Sequence, residues 1–241
     1  MTQPNPNTTP RVVLPEAVTS RTEYKRRFGA WQMYRAFAAL PWAATKLMAN
    51  KRRALVDEDL VRRLQLAVTA VNGCPACSYQ HAKMALAQGM SNEEINSFLS
   101  GSGDYIEPEE AKAILFAQHF AEHTGRPDKA AFDLIAQEYG DEEAHVMLAA
   151  VQFMLAGNVY GIPYSAFRSR RKGRPFKGSS LGYEVGMLIA GIVMLPAAMV
   201  HGSLRGLFGS PVTWAPSDAD IPPGPNPDGA ARTGVPQAQR P

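Results

Sequence analysis

The feature that most constrains this chain is a short run in its first half, Asn72-Gly73-Cys74-Pro75-Ala76-Cys77-Ser78-Tyr79-Gln80-His81. It holds the only 2 cysteines of 241 residues, and a histidine follows the second of them by four positions. The local signals predict a helix that begins inside the run. Asn72-Gly73 is a stop-and-turn dipeptide. Pro75 suits a first helical position, where a missing N–H costs nothing. Cys74 then becomes the approximate N-cap and Cys77 falls in the first turn. On such a helix Cys77 and His81 share a face, with Cys74 one turn earlier on nearly the same side. The positive end of the helix dipole favours a thiolate there, and His81 can take or return a proton near neutrality.

Three uses fit such a group. The side chains could be buried structural residues, because cysteine often packs as a small apolar group. They could ligate a metal, but a Cys-Cys-His set needs a fourth ligand from elsewhere. No second Cys-x-x-Cys or Cys/His pair completes a zinc site. A reversible disulfide with an adjacent base accounts for the pattern most directly, and neither a metal nor a cofactor is expected. His119 and His123 form another i,i+4 pair, with Glu122 beside it. It reads either as a metal-binding face or as late histidines complementing a helix dipole.

Composition sets the frame. Apolar content of 45% and charged content of 20% are globular values. A net charge of +3 is too weak to argue for nucleic acid. Two closely spaced cysteines are no secreted disulfide framework. The first 15 residues carry no apolar signal-type segment. A cytoplasmic, reducing compartment is therefore expected.

The periodicity predicts an all-α chain. Residues 1–18 read as a disordered arm, 19–175 as the helical domain, 176–208 as an apolar helix with its lead-in, and 209–241 as a disordered tail rich in proline. From about Ser20, Tyr24, Phe28, Trp31, Tyr34, Phe37 and Leu40 recur at helical spacing. They are expected to form core or a subunit interface, with a break or kink at Pro41. Asp57 is a good N-cap for a helix to about Val71, with Leu60, Leu64, Ala67, Val68 and Val71 on its apolar side. Ala82, Met84, Ala85 and Leu86 are expected to pack inward after the cysteines. Ser91 and Glu94 form a capping box. Further helices are expected from Pro108 to about His123, from Pro127 to Tyr139 and from Asp141 to about Val159.

A basic run, Arg168, Arg170, Arg171, Lys172, Arg174 and Lys177, precedes the most apolar segment, Val185–Val200. That segment is somewhat short of a full bilayer span. It reads either as a buried helix, with Gly182, Gly186 and Ala190 offering a close-approach face, or as a site of membrane association.

Residues 57–172 resemble the carboxymuconolactone decarboxylase superfamily, in its alkylhydroperoxidase D-like branch. The resemblance rests on Leu66 to Gly73 leading into the cysteines, and on Cys74-x-x-Cys77-x-x-x-His81 itself. It also rests on Gly89-Met90-Ser91 followed by Glu93-Glu94-Ile95, and on Met154 to Phe167 with Asn158. The resemblance implies an all-helical fold assembled as a homo-oligomer, a trimer or hexamer, and peroxide reduction through a dithiol–disulfide cycle. Cys77 would attack the peroxide, Cys74 would condense with it and His81 would relay protons. A thiol or lipoyl-type partner would return the electrons. Members of the non-redox, decarboxylase kind generally lack the cysteine pair. The branch usually carries a glutamate twelve residues before the first cysteine, and this chain has Arg62 there. Asp59 lies one turn earlier, and Glu58 could pair with Arg62. A cation at that position is expected to favour a thiolate electrostatically.

Overall fold

The computed structural model describes residues 11–208. Most of the proposed arm and all of the proline-rich tail, 209–241, lie outside the described residues. Within them the chain is all-α. The elements are α1 (Glu16–Thr19), α2 (Ala30–Arg53), α3 (Glu58–Asn72), α4 (Pro75–Ala87), α5 (Asn92–Ser100), α6 (Ala111–Glu122), α7 (Lys129–Tyr139), α8 (Asp141–Arg171) and α9 (Leu181–Leu207). The only extended pairing among the described residues is an isolated bridge between Glu23 and Lys177.

Helix α8 is the spine. It packs against α2, α3, α4, α7 and α9, and its apolar side chains from Val146 to Ile162 supply the middle of the core. Its sequence is apolar nearly all round, as a helix enclosed by others must be. Helix α3 packs between α8 and α6, and its Leu64, Leu66 and Val68 are fully buried. The side chain of Asp57 accepts from the Asp59 amide and opens α3; Gly73, at φ 68°, closes it. A Cβ at Gly73 would stand 2.5 Å from Cβ of Lys25.

Several expectations need correction. Residues 20–29 are not helical. Gly29 caps α2, and the preceding segment is drawn aside by the Lys177 amide, which donates to the Thr22 carbonyl, and by Tyr24 packing on Phe176 and Tyr183. Pro41 does not end α2, which runs on to Arg53; long packing against α8 and α9 outweighs the one lost hydrogen bond. Trp31 is exposed rather than core. Helix α8 continues past Val159 and through Pro163 to Arg171, so the basic run begins as its last turn. Residues 11–18 are anchored rather than loose. Val18 is buried and the Val13 amide donates to Asn92 Oδ1 at 2.9 Å.

Two helices are long and apolar enough to cross a membrane by length and composition, α8 and α9. They differ in cover: 78% of the apolar window of α8 is buried and 22% of that of α9. Helix α9 lies along α2. Gly202 presses on the Ala38 backbone and Gly191 on Tyr160. Gly182 and Gly186, which sequence spacing singles out for close approach, have nothing packed over them. A buried ion pair holds the start of α9: Arg170 Nε donates to Glu184 Oε2 at 2.7 Å, and Ser179 Oγ also donates to this carboxylate. Burial alone would raise the Glu184 pKa, but the hydrogen bonds from Arg170 and Ser179 hold it below the usual range.

Candidate redox site at the start of helix α4

The cysteines sit where the local signals place them. Cys74 is the N-cap of α4 and Pro75 follows in the first turn. Cys74 Sγ accepts from the Cys77 amide at 3.3 Å, and the two residues form a disulfide with their Cα atoms 5.3 Å apart. Cys74 is fully enclosed, whereas Cys77 keeps 8% of its surface. An attacking thiolate therefore meets Cys77 first.

Helix α8 forms the wall behind the disulfide. A Cβ placed on Gly161 would lie 2.6 Å from Cys77 Sγ and 2.7 Å from Cys74 Sγ. Only glycine lets the α8 backbone come this close to both sulfurs. Cys77 Sγ lies 3.6 Å from the Gly157 carbonyl, one turn earlier. Ser165 Oγ, one turn later, accepts from the Ala76 amide at 3.2 Å and donates to the Gly161 carbonyl at 2.7 Å. It thereby satisfies an amide in the first turn of α4, where helices leave donors free.

The lead-in to the cysteines is fixed by a buried polar chain. Asn72 Nδ2 donates to Asn158 Oδ1 at 3.0 Å, and Asn158 Nδ2 lies 3.4 Å from Thr69 Oγ1. All three side chains are fully enclosed. Buried amides are costly unless paired, so this set fixes the end of α3 against α8 and thus the entry into α4.

His81 follows Cys77 by one turn on α4. Burial lowers its pKa, and the Arg62 cation lowers it further, to about 4. The imidazole is therefore neutral at ordinary pH. Its Nδ1 is buried and has no hydrogen-bond partner among the described residues.

Arg62 comes to the same neighbourhood. Its Nε donates to Gln88 Oε1 at 2.9 Å and its guanidinium to Gln65 Oε1 at 3.0 Å. It forms no ion pair with Glu58, although Glu58 and Asp59 act on it electrostatically against the dominant effect of burial. Asp59 is exposed and its amide is used in the cap of α3. The structure thus places Cys74, Cys77 and His81 on the first turns of α4, brings the Arg62 charge to bear on His81, and leaves Asp59 exposed.

Glu94 does not close the capping box. Its carboxylate instead meets Arg63 at 2.8 Å, and Arg63 also meets Glu110 at 2.7 Å. Met84, expected inside, is exposed. His119 and His123 fall together with Asp128, but His119 Nε2 already accepts from the Asp128 amide at 3.2 Å. Sequence reasoning missed Gly161, Ser165 and the partnership of Asn72 with Asn158. The spacing Gly157-x-x-x-Gly161 was the one available signal, since it marks a helix face that another backbone can approach.

Comparison with known proteins agrees with this architecture. No curated protein and no solved structure matches the chain significantly. Residues 32–119, which include the cysteines, His81 and Arg62, match the carboxymuconolactone decarboxylase family. That family covers both alkylhydroperoxidase D-like peroxidases and decarboxylase-like members, and the segment 32–119 of this chain is similar to it.

Proposed function

We propose that this protein is a thiol-dependent peroxidase of the alkylhydroperoxidase D type. The observation that carries the reading is the Cys74–Cys77 disulfide at a helix start, with a neutral, unpartnered imidazole one turn away. Neither a decarboxylase nor a purely structural role needs that combination.

The cycle follows from the residues. In the dithiol form His81 accepts the Cys77 proton, and the helix N-terminus and the Arg62 cation favour the thiolate. The Cys77 sulfur attacks the outer peroxide oxygen, the O–O bond breaks, and the alkoxide leaves with the proton held by His81. Cys77 is then a sulfenic acid. Cys74 attacks that sulfur, a disulfide forms and water leaves. Two external thiols, or one dithiol of the lipoyl kind, restore the pair through a mixed disulfide at Cys77. The net change is one peroxide and two thiols to one alcohol, one water and one disulfide. No metal or cofactor takes part.

Oligomerisation and membrane association also belong to the proposal. The run 185–204 carries no Asp, Glu, Lys or Arg. Its outer face exposes Ile189, Ile192, Val193 and Val200, a surface suited to a second copy or to lipid.

The deciding experiment is peroxide consumption with a dithiol reductant, on the wild type and on Cys74→Ser and Cys77→Ser. Turnover by the wild type and none by Cys77→Ser is expected, with a trapped sulfenic acid in Cys74→Ser. Equal consumption by all three proteins would overturn the reading.

A further inference from the structure

The largest cavity among those described lies on the far side of α4 from its buried face. Its volume is about 730 Å³, within the ~300–1,000 Å³ typical of small-molecule sites. The face of α4 that bounds it carries Pro75, Ala76, Tyr79 and Gln80, so the cavity shares the first turn of α4 with the disulfide.

The lining has one sign of charge. Arg21, Arg168, Lys172 and Arg174 border the cavity and no carboxylate does. None of these four enters an ion pair of the described residues. Arg168 reaches only the Tyr164 hydroxyl, at 3.3 Å, and Arg21 only the Ala17 carbonyl, at 3.4 Å. The contrast lies within the basic run. Arg170 is consumed by Glu184, whereas Arg168, Lys172 and Arg174 border the cavity. Glu16 and Glu23 flank the segment that closes the mouth, but neither lines it.

The rest of the wall mixes apolar side chains with polar ones such as Thr19, Thr22, Gln80 and Ser165. Leu14 and Val18 enter from the N-terminal segment and Phe176 from the chain after α8, with Tyr79 and Tyr164 between them. Four like charges around a half-open, partly apolar pocket create a local positive potential that attracts an anion. A polyanion such as nucleic acid needs an extended track, and a protein partner needs a broad face; a concave pocket of this size matches a small molecule better.

We infer that this cavity binds an amphipathic anion, a single carboxylate or phosphate carrying an apolar chain. The head sits among Arg168, Lys172 and Arg174, and the chain lies against Val18 and Phe176. The inference stands apart from the peroxidase reading, because it requires no turnover.

The test is calorimetric titration of the full chain with decanoate below its micelle concentration, beside decanol and acetate as controls. Decanoate is expected to bind at least about tenfold more tightly than decanol, a difference of about 1.4 kcal/mol, and acetate not to bind measurably. Arg168→Gln with Arg174→Gln should weaken decanoate about tenfold or more, with the melting temperature and the disulfide unchanged. Both side chains are exposed, so the fold does not depend on them. Added salt should weaken decanoate and leave decanol alone. Equal binding of decanoate and decanol, or unchanged binding in the double variant, would overturn the inference. Flotation with vesicles containing phosphatidic acid separates the sources. Flotation without binding of free decanoate would overturn the cavity site in favour of a basic membrane-facing surface.

Discussion

Two helix contacts in this molecule use the same device and reach opposite ends. Where α4 meets α8, Gly161 lets the backbone touch both sulfurs, and Cys74 is completely enclosed. Where α9 meets α2, Gly202 lets the backbone touch Ala38, yet the outer face of α9 stays bare, with Ile192 and Val193 both more than two-thirds exposed. The first contact is largely enclosed, with only an edge of Cys77 left open. The second is a single layer held by its edges. Close approach alone does not decide whether a helix belongs to the core; the number of elements packed around it does.

The largest effect should come from the chemistry inside the first contact. Cys77→Ser is expected to bring peroxide turnover to background, measured as peroxide loss, while the melting temperature shifts little. A Cys77→Ser protein that unfolds would show instead that the disulfide is a staple and not a redox pair.

Next is the edge that holds α9. Arg170→Ala leaves the Glu184 carboxylate buried without its partner, at a cost of about 3 kcal/mol. Urea denaturation should show α9 loosening before the disulfide region does. The same pair predicts a pH effect. Because the folded carboxylate has a lowered pKa, its contribution is present above the ordinary Glu range and is lost as pH falls through that lowered value. If both contacts failed together in acid, the two regions would be one cooperative unit and the comparison would break.

Gly161→Ala should cost about 1–3 kcal/mol by overpacking, because its Cβ would lie 2.6 Å from a sulfur. The readout is the disulfide itself. Thiol titration is expected to find the pair harder to oxidise, and unchanged oxidation would mean that α8 does not wall the sulfurs.

A pH-dependent effect concerns His81. Its pKa of about 4, against the ordinary 6.5, means that the unfolded chain binds the proton more readily between those values. Stability should therefore rise with pH across that window. Arg62→Ala should move the histidine titration upward, followed by NMR of the imidazole, and should raise the Cys77 thiol pKa in the reduced protein. An unmoved histidine would remove Arg62 from the site.

Much of this was legible in the chain. Short-range chemistry sufficed for the start of α4: a proline, a turn glycine and a cysteine cap act within one turn, and no distant residue is needed to place them. The cap of α3 at Asp57 belongs to the same class. What failed depended on competition. Pro41 reads as a break because sequence shows the lost hydrogen bond but not the packing that outweighs it. Glu94 reads as a cap partner because the sequence does not show that Arg63 stands nearer. The basic run reads as one block, yet Glu184 takes one of its arginines and the cavity takes three others of its cations.

The sequence by itself determined that the chain is helical, that two thiols and a base share one helix start, and that a late segment is apolar. These follow from local sterics, hydrogen-bond valence and periodicity. Only the tertiary structure decided that Gly161 backs the sulfurs, that burial and Arg62 together hold His81 neutral, and that α9 keeps one side uncovered. Each of these depends on groups far apart in the chain meeting at distances of a few ångströms, which local preference does not encode.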